Sequence, residues 1–400
     1  MVSSIFSSKS AAHRERVRGL TVGLIARAAV FLPLVILLVL VNYIVDPAAI
    51  FTSDDTMRDI ASRLLRNENV AILSDHNDRL LQKFYIEGLT ERNEVVVFGS
   101  SRSHQIGERL FPGRTFHNNS VMASTLGDYI GLLELYREKG LLPRTVVLGV
   151  DPWIFNEHNH VETWRTLDIY TYNFFSFVGL YAGSPASSLL NDINTRVFKI
   201  YKYSQLLSIS YFQSALQRLR SLARDDHKGS LLRVRYYPTG RTDLDADVEL
   251  SDGSMLASRS SRMRENDEIL RNVKAAFILG HFARQAFSRR DPKLTHEFEV
   301  FVKYLLREKI QVVIWLAPYH PYAYDILSAS DKYSVINEVE NYVRDFADGN
   351  GIPVIGSYGP KACGMTESDF SDAIHLKRES VNKMFASDLG GAGSGTARLG

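Results

Sequence analysis

The chain is nearly without cysteine, has no internal repeat, and carries no long run of basic residues beyond its first twenty-seven positions. Cys363 is the only cysteine among 400 residues, which excludes an intrachain disulfide framework and any metal site built from several thiolates. The formal charge of +2 is too near neutral for a nucleic-acid surface, so no nucleic-acid partner is expected. What is there is ordinary globular material. With 45% apolar and 23% charged residues, the chain can build the core of one large domain or two modest ones.

The N-terminus departs from that average. In residues 1–27, Lys9, Arg14, Arg16, Arg18 and Arg27 oppose only Glu15, and Ala28–Val45 then runs without a charge. Such a run has the ~17–25 residues a helix needs to cross a bilayer, with Pro33 near its start and Tyr43 where interfacial aromatics collect. A basic cytoplasmic tail (1–27), one transmembrane helix (28–45) in the lipid bilayer and an extracytoplasmic remainder are expected. A cleaved signal peptide is the alternative, but the run is long and bulky and no small-x-small cleavage site follows it.

Residues 46–92 hold two helical patterns and read as a stalk or as an edge of the domain. The alternation of an α/β fold follows: strand Glu94–Phe98, helix Thr125–Lys139, strand Thr145–Val150, helix Glu297–Arg307, strand Gln311–Ala317, helix Val335–Phe346, strand Ile352–Ile355, and a last helix from about Arg378. A mostly parallel sheet flanked by helices is expected over 93–388. An insertion at about 156–290 interrupts it, aromatic-rich in "YTYNFFSFVGLY" and then strand-like in "RVRYY" and "VELSDGSML" around a Ser-Asp-Gly turn. It reads either as an irregular packing layer or as a substrate-binding cap with acceptor contacts at Tyr170–Tyr181 and Arg233–Tyr237. The tail 389–400 has too little apolar content to fold and is expected to be disordered.

In a parallel α/β sheet, ligands bind at the carboxyl ends of the strands. The stretch "VVVFGSSRSHQIG" puts Gly99, Ser100 and Ser101 at such an end, with the glycine permitting a turn that a side chain would obstruct. A serine nucleophile needs a base and a group to orient it. Asp372 and His375, in "SDFSDAIHLK" after the last core strand, supply both, since Asp-x-x-His lets the carboxylate reach the ring Nδ1 while Nε2 faces the serine. Arg102 has two readings, a ligand for an anionic sugar or phosphate and a salt bridge to Asp151 or a neighbouring carboxylate. Tyr319 and His320 fall just past a strand's carboxyl end, at the substrate rim or in a Pro-framed turn. His158 and His160 in "EHNH" have a spacing that suits loop histidines better than metal ligands.

The joint placement of Gly99-Ser100-Ser101 and Asp372-x-x-His375 resembles the SGNH (GDSL-type) hydrolase superfamily. With "FHNNSVMASTLGDY" and "TVVLGVDPWIFN", the chain is most similar to the membrane-anchored branch that includes the D-alanyl-transfer protein of teichoic-acid modification and the proteins that O-acetylate exported polysaccharides such as alginate. The resemblance covers roughly residues 93–156 and 311–380. It implies an SGNH-like fold with Ser101 as nucleophile and Asp372 and His375 as its triad partners. It further implies an oxyanion hole built from Ser101's own N–H and the second block, where Asn118, Asn119 or Ser120 stands for a common glycine. Asp151 stands in the third block where many members have asparagine, and an acidic side chain there would repel an oxyanion unless protonated or turned away. The implied activity is O-acylation, in particular O-acetylation, or deacylation of an extracytoplasmic polysaccharide, without metal or organic cofactor. The implied partner is a multispanning membrane O-acyltransferase. The alternative is a non-catalytic subunit of a polysaccharide-export machine.

The charge asymmetry around Ala28–Val45 makes a topological prediction. Alkaline phosphatase fused after Gly400 should be active in cells, and activity from a cytoplasmic reporter alone would reverse the orientation.

Overall fold

The structure is a computed structural model, and it describes residues 31–46, 51, 55–73, 76–156, 166–179, 203–224, 235–280, 282 and 285–391. His158 and His160 lie outside the described residues. So do the basic tail, the first three residues of the expected span, and 392–400 of the expected disordered tail. Chain contacts divide the molecule into two units, one within Met1–Ser53 and Ile193–Arg233, the other within Asp54–Asp192 and Val234–Gly400.

In the first unit, residues 31–45 are helical (α1) and a second helix covers Ile209–Arg224. Among the described residues, no helix is long and apolar enough to cross a membrane by itself.

The second unit is α/β. Its larger sheet has five parallel strands in the order β3 (Phe116–Asn118), β2 (Val95–Phe98), β4 (Thr145–Gly149), β8 (Gln311–Leu316), β9 (Val354–Gly356). Period-two alternation gives the sheet two apolar faces. Val96, Phe98, Val146, Leu148, Ile314 and Leu316 enter one core cluster with helices Asp78–Gly88, Leu126–Glu138, Pro292–Arg307 and Val335–Gly349. Val95, Val97, Val147, Val313, Trp315 and Ile355 enter another with helix Arg378–Gly391, through Val381, Met384 and Phe385. Helices therefore cover both faces, and all five carboxyl ends point one way.

Local sequence sets these elements. Pro292 and Asp291 start one helix, with the Asp291 carboxylate accepting from Leu294 N at 2.8 Å. Asp128 reaches back to the Thr125 N–H at 2.7 Å to start another. Strand β3 was not expected, because "FHN" carries no apolar run. The last helix extends to Gly391, so residues 389–391 are helical rather than part of a disordered tail.

Residues 55–92 are an edge of this unit rather than a stalk. Strand β1 (Val70–Ile72) pairs antiparallel with β5 (Tyr236–Pro238) and β6 (Asp247–Glu249), and β7 (Met255–Leu256) completes a second sheet of order β5-β1-β6-β7. Part of the insertion is thus sheet. Its aromatic stretch forms helix Asp168–Phe177, where Phe174 and Phe175 are buried in the main core. Tyr236 bonds Asp59 at 2.6 Å. Within Tyr170–Tyr181 and Arg233–Tyr237, the described side chains that the structure buries serve packing instead of forming an acceptor surface.

Gly99 and Gly149 end adjacent strands and come close through Ser103. A Cβ on Gly149 would lie 2.1 Å from Ser103 Oγ, and one on Gly99 would lie 2.3 Å from it. The glycine after β2 is needed for close approach. Overpacking of this kind costs ~1–3 kcal/mol, so Gly149→Ala should lower the unfolding free energy of the purified protein by about that amount in a urea titration. Ser103 Oγ is buried without a partner, and the next contact of that Cβ is 3.3 Å. Ser103→Ala should therefore restore most of the loss; additive effects would contradict the geometry.

Candidate active site

Strand β2 delivers its carboxyl end to a tight 3₁₀ turn, Ser101–Ser103, capped by the Ser100 hydroxyl accepting from Arg102 N at 3.2 Å. The turn keeps Ser101 partly exposed while Ser100, Arg102 and Ser103 are buried. From the other end of the chain, Asp372 and His375 arrive in a self-bonded turn. Asp372 Oδ1 accepts from the N–H groups of Ile374 at 2.8 Å and His375 at 2.9 Å. Its Oδ2 is 2.7 Å from His375 Nδ1, and His375 Nε2 is 2.8 Å from Ser101 Oγ. Three residue types that sequence spacing singles out thus form one hydrogen-bonded chain, half open to solvent.

Electrostatics poise the ring as a base. Burial opposes the charge on Asp372, but His375 and the two backbone N–H groups outweigh it and hold the carboxyl well below its usual range. Burial likewise disfavours a charged His375, and the Asp372 carboxylate overcomes this, raising the ring above its ordinary value. His104 sits near but is pushed down to about 4 by burial, so at neutral pH it adds no positive charge beside His375.

Arg102 takes the salt-bridge reading and is fully buried. Its Nη1 donates to Asp151 Oδ1 at 2.7 Å, Nη2 to the Ala317 carbonyl, and Nε to the Ile374 carbonyl at 3.3 Å. Its guanidinium lies 4.0 Å from the centroid of the Tyr319 ring. Asp151 is thereby turned onto a cation, which removes the repulsion an unpaired carboxylate would exert.

Other expected site residues have structural duties. Asn118 spends its amide on the carbonyls of Ser103 at 2.8 Å and Ile106 at 2.9 Å, and its oxygen accepts from Ser120 N at 2.9 Å. Asn119 bonds Gln82 at 2.8 Å and Tyr136 at 2.9 Å. Asn118 braces the 103–106 loop and Asn119 ties together helices Asp78–Gly88 and Leu126–Glu138, so neither is the expected oxyanion donor. Ser120 is buried with no partner for its hydroxyl. Ser101 opens the 3₁₀ turn, where a backbone N–H has no partner within the turn itself. Tyr319 is buried under Arg102, and burial pushes its phenol up to about 12. His320 is buried too: its ring Nδ1 accepts from Tyr322 N at 3.2 Å and its backbone N–H donates to the Ala373 carbonyl at 3.1 Å. Neither lines a substrate rim, since both hold the 372–375 turn and the Arg102 pocket from below.

The β6–β7 hairpin is a site wall that sequence reading missed. Met255 N donates to the His104 carbonyl at 2.9 Å, and Asp252 Oδ2 accepts from Glu108 N at 2.9 Å. Arg378, one turn past His375, donates to Ser254 Oγ at 3.1 Å, the Met255 carbonyl at 3.2 Å and Gln105 at 3.3 Å. Gly253, at φ +74°, lets the hairpin approach β3, where a Cβ would sit 2.4 Å from the Asn118 carbonyl. The signal was the "SDG" turn, though nothing in it names the loop it meets.

No known protein family matches the chain, and a search of curated proteins finds no relative.

A base must be neutral to accept a proton, so any Ser101-dependent activity should fall as pH drops through the raised value of His375. The acid limb of kcat/KM should lie above the ordinary histidine value of about 6.5. Asp372→Asn removes the group that raises the ring, so the limb should move to lower pH while the rate falls. An unmoved limb would dissociate it from His375.

Proposed function

We infer that this protein is a membrane-anchored serine acyltransferase or acyl esterase acting on an extracytoplasmic glycopolymer. The observation that carries the reading is the unbroken contact from Asp372 Oδ2 through the His375 ring to Ser101 Oγ, with steps of 2.7 and 2.8 Å. Ser101 Oγ attacks the acyl carbonyl as its proton passes to His375 Nε2, and Asp372 holds Nδ1–H and supports the imidazolium. By the resemblance to the SGNH superfamily, the Ser101 N–H would donate to the developing oxyanion. His375 returns the proton to the leaving oxygen, leaving an ester on Ser101. A sugar hydroxyl or water then attacks that ester while His375 again takes its proton, and the free serine is regenerated.

The assignment to a glycopolymer, to O-acetylation and to a multispanning acyltransferase partner rests on the resemblance to the SGNH superfamily's membrane-anchored branch. The placement in the cytoplasmic membrane, N-terminus inside, rests on the basic residues before Ala28 and the apolar run that ends in α1. A specific finding favours a second reading, a non-catalytic binding subunit: Asn118 and Asn119 are both consumed by the fold, leaving fewer donors for an oxyanion than the superfamily's blocks imply.

Loss of one oxyanion donor typically costs ~10²–10³ in rate, whereas a large acceptor can offset a weak hole through remote binding. A fluorophosphonate probe should label Ser101 and leave Ser101→Ala unlabelled. Hydrolysis of p-nitrophenyl acetate should be slow and Ser101-dependent, and cells carrying His375→Ala should lose polymer acylation. Normal acylation in a Ser101→Ala strain would establish the binding-subunit reading instead.

A further inference from the structure

The unit within Met1–Ser53 and Ile193–Arg233 buries a polar side chain where the sequence is most apolar. Asn42, three residues from the end of α1, is fully buried, and its amide donates to the carbonyls of Gln205 at 3.2 Å, Leu206 at 3.0 Å and Ser208 at 3.1 Å. A carboxamide in an apolar helix is costly unless partnered, and here its donors go to the turn that precedes helix Ile209–Arg224. Four residues on, Asp46 accepts from the Tyr211 hydroxyl at 2.6 Å and from Phe51 N at 2.7 Å. Phe51 lies within 5.8 Å of the Tyr43 ring and 6.5 Å of the Tyr203 and Tyr211 rings, centroid to centroid. The end of α1 is therefore gripped by a segment more than 160 residues away in sequence, within one unit.

Among the described residues, the surface around this grip is apolar and exposed. Tyr203, Leu207 and Ile209 are 61%, 59% and 68% exposed, beside the exposed Tyr43 and Ile44 of α1. Phe212 joins Phe31, Leu34, Val35, Leu37 and Leu38 in lining an apolar groove, which continues this surface along α1. Exposed tyrosines beside exposed aliphatics are the pattern of a bilayer interface. The helix that follows, ISYFQSALQRLRSLAR, has three arginines and no acid in its sequence, which suits anionic headgroups.

We propose that residues 203–212 form an interfacial collar around the end of α1, with Tyr203, Leu207 and Ile209 inserted at the headgroup–acyl boundary and lipid as the occupant of the apolar surface. Asn42 locks the collar to α1 and so fixes how far the helix can slide or turn in the bilayer. The collar rests on the reading of α1 as the end of a membrane span, and it gives part of the insertion a membrane role separate from the Ser101 site.

The full-length protein, with Cys363→Ser, is labelled with an environment-sensitive nitrobenzoxadiazole dye at Leu37→Cys, Ile209→Cys or Asp267→Cys. Each is reconstituted in vesicles of phosphatidylethanolamine and phosphatidylglycerol, with and without brominated acyl chains. The expected result is loss of emission to brominated lipid at positions 37 and 209, and none at exposed position 267. Quenching at 37 but not at 209 overturns the collar and leaves the span, as it would if a protein helix were the natural occupant. No quenching at 37 overturns the span and the collar with it. Adding Asn42→Leu should lower quenching at 209 while leaving 37 unchanged, and equal quenching at 209 would overturn the Asn42 lock.

Discussion

The buried pair of Arg102 and Asp151 joins segments that no local interaction could bring together. Arg102 follows Ser101 on the first core strand's turn, Asp151 follows the third, and the carbonyls of Ala317 and Ile374 come from the fourth strand's exit and the histidine turn. A guanidinium suits this because its planar fork offers donors in several fixed directions, whereas an ammonium would be a point charge. Such a pair is not a cheap source of stability, and losing one partner leaves a buried charge at a cost of ~3–5 kcal/mol. What it provides is registration, because Ser101 and Ile374 hang on one rigid group and the Ser101–His375 distance follows.

The remaining geometry is divided between local and distant devices. The Asp372–His375 turn is complete within four residues, since both carboxylate oxygens are used inside it. His320 and Tyr319 support that turn and the arginine from beneath. On the open side, the β6–β7 hairpin bonds to the residues after Ser101 and, through Arg378, to the helix after His375. The insertion thus contributes a wall to the site, although its sequence neighbours lie far from both loops.

The strands that carry the site were legible because each is a short buried apolar run that stops at glycine or a turn, and the order of helices between them implies a parallel sheet. Ser101, Asp372 and His375 were legible because their chemistry demands particular neighbours. Strand β3 was not, since His117 and Asn118 break any apolar pattern and pairing to β2 supplies the order. Asn118, Asn119 and Ser120 enter the oxyanion reading only through their place in the resemblance's second block, whereas the Ser103 and Ile106 carbonyls that take up the Asn118 amide and the Gln82 side chain that accepts from Asn119 are supplied by the fold. Tyr319 and His320 occupy the correct end of the sheet, yet burial depends on what packs over a position, and that comes from Arg102 and the 372–375 turn. Aromatic residues near Phe174 read as a cap because their density is unusual, and the core uses them for volume.

Half-exposure of the Ser101–His375 pair sets the terms of a competition. An ester carried on Ser101 would stand in view of bulk water, so its lifetime would be a race between hydrolysis and arrival of a second nucleophile. Chemistry alone cannot bias that race toward a sugar, because water and a sugar hydroxyl meet the same base. Residence can: on the proposed transfer reading, a polymer that stays at the site presents one hydroxyl after another, and selectivity becomes a matter of how slowly the polymer departs rather than of how well any single hydroxyl fits.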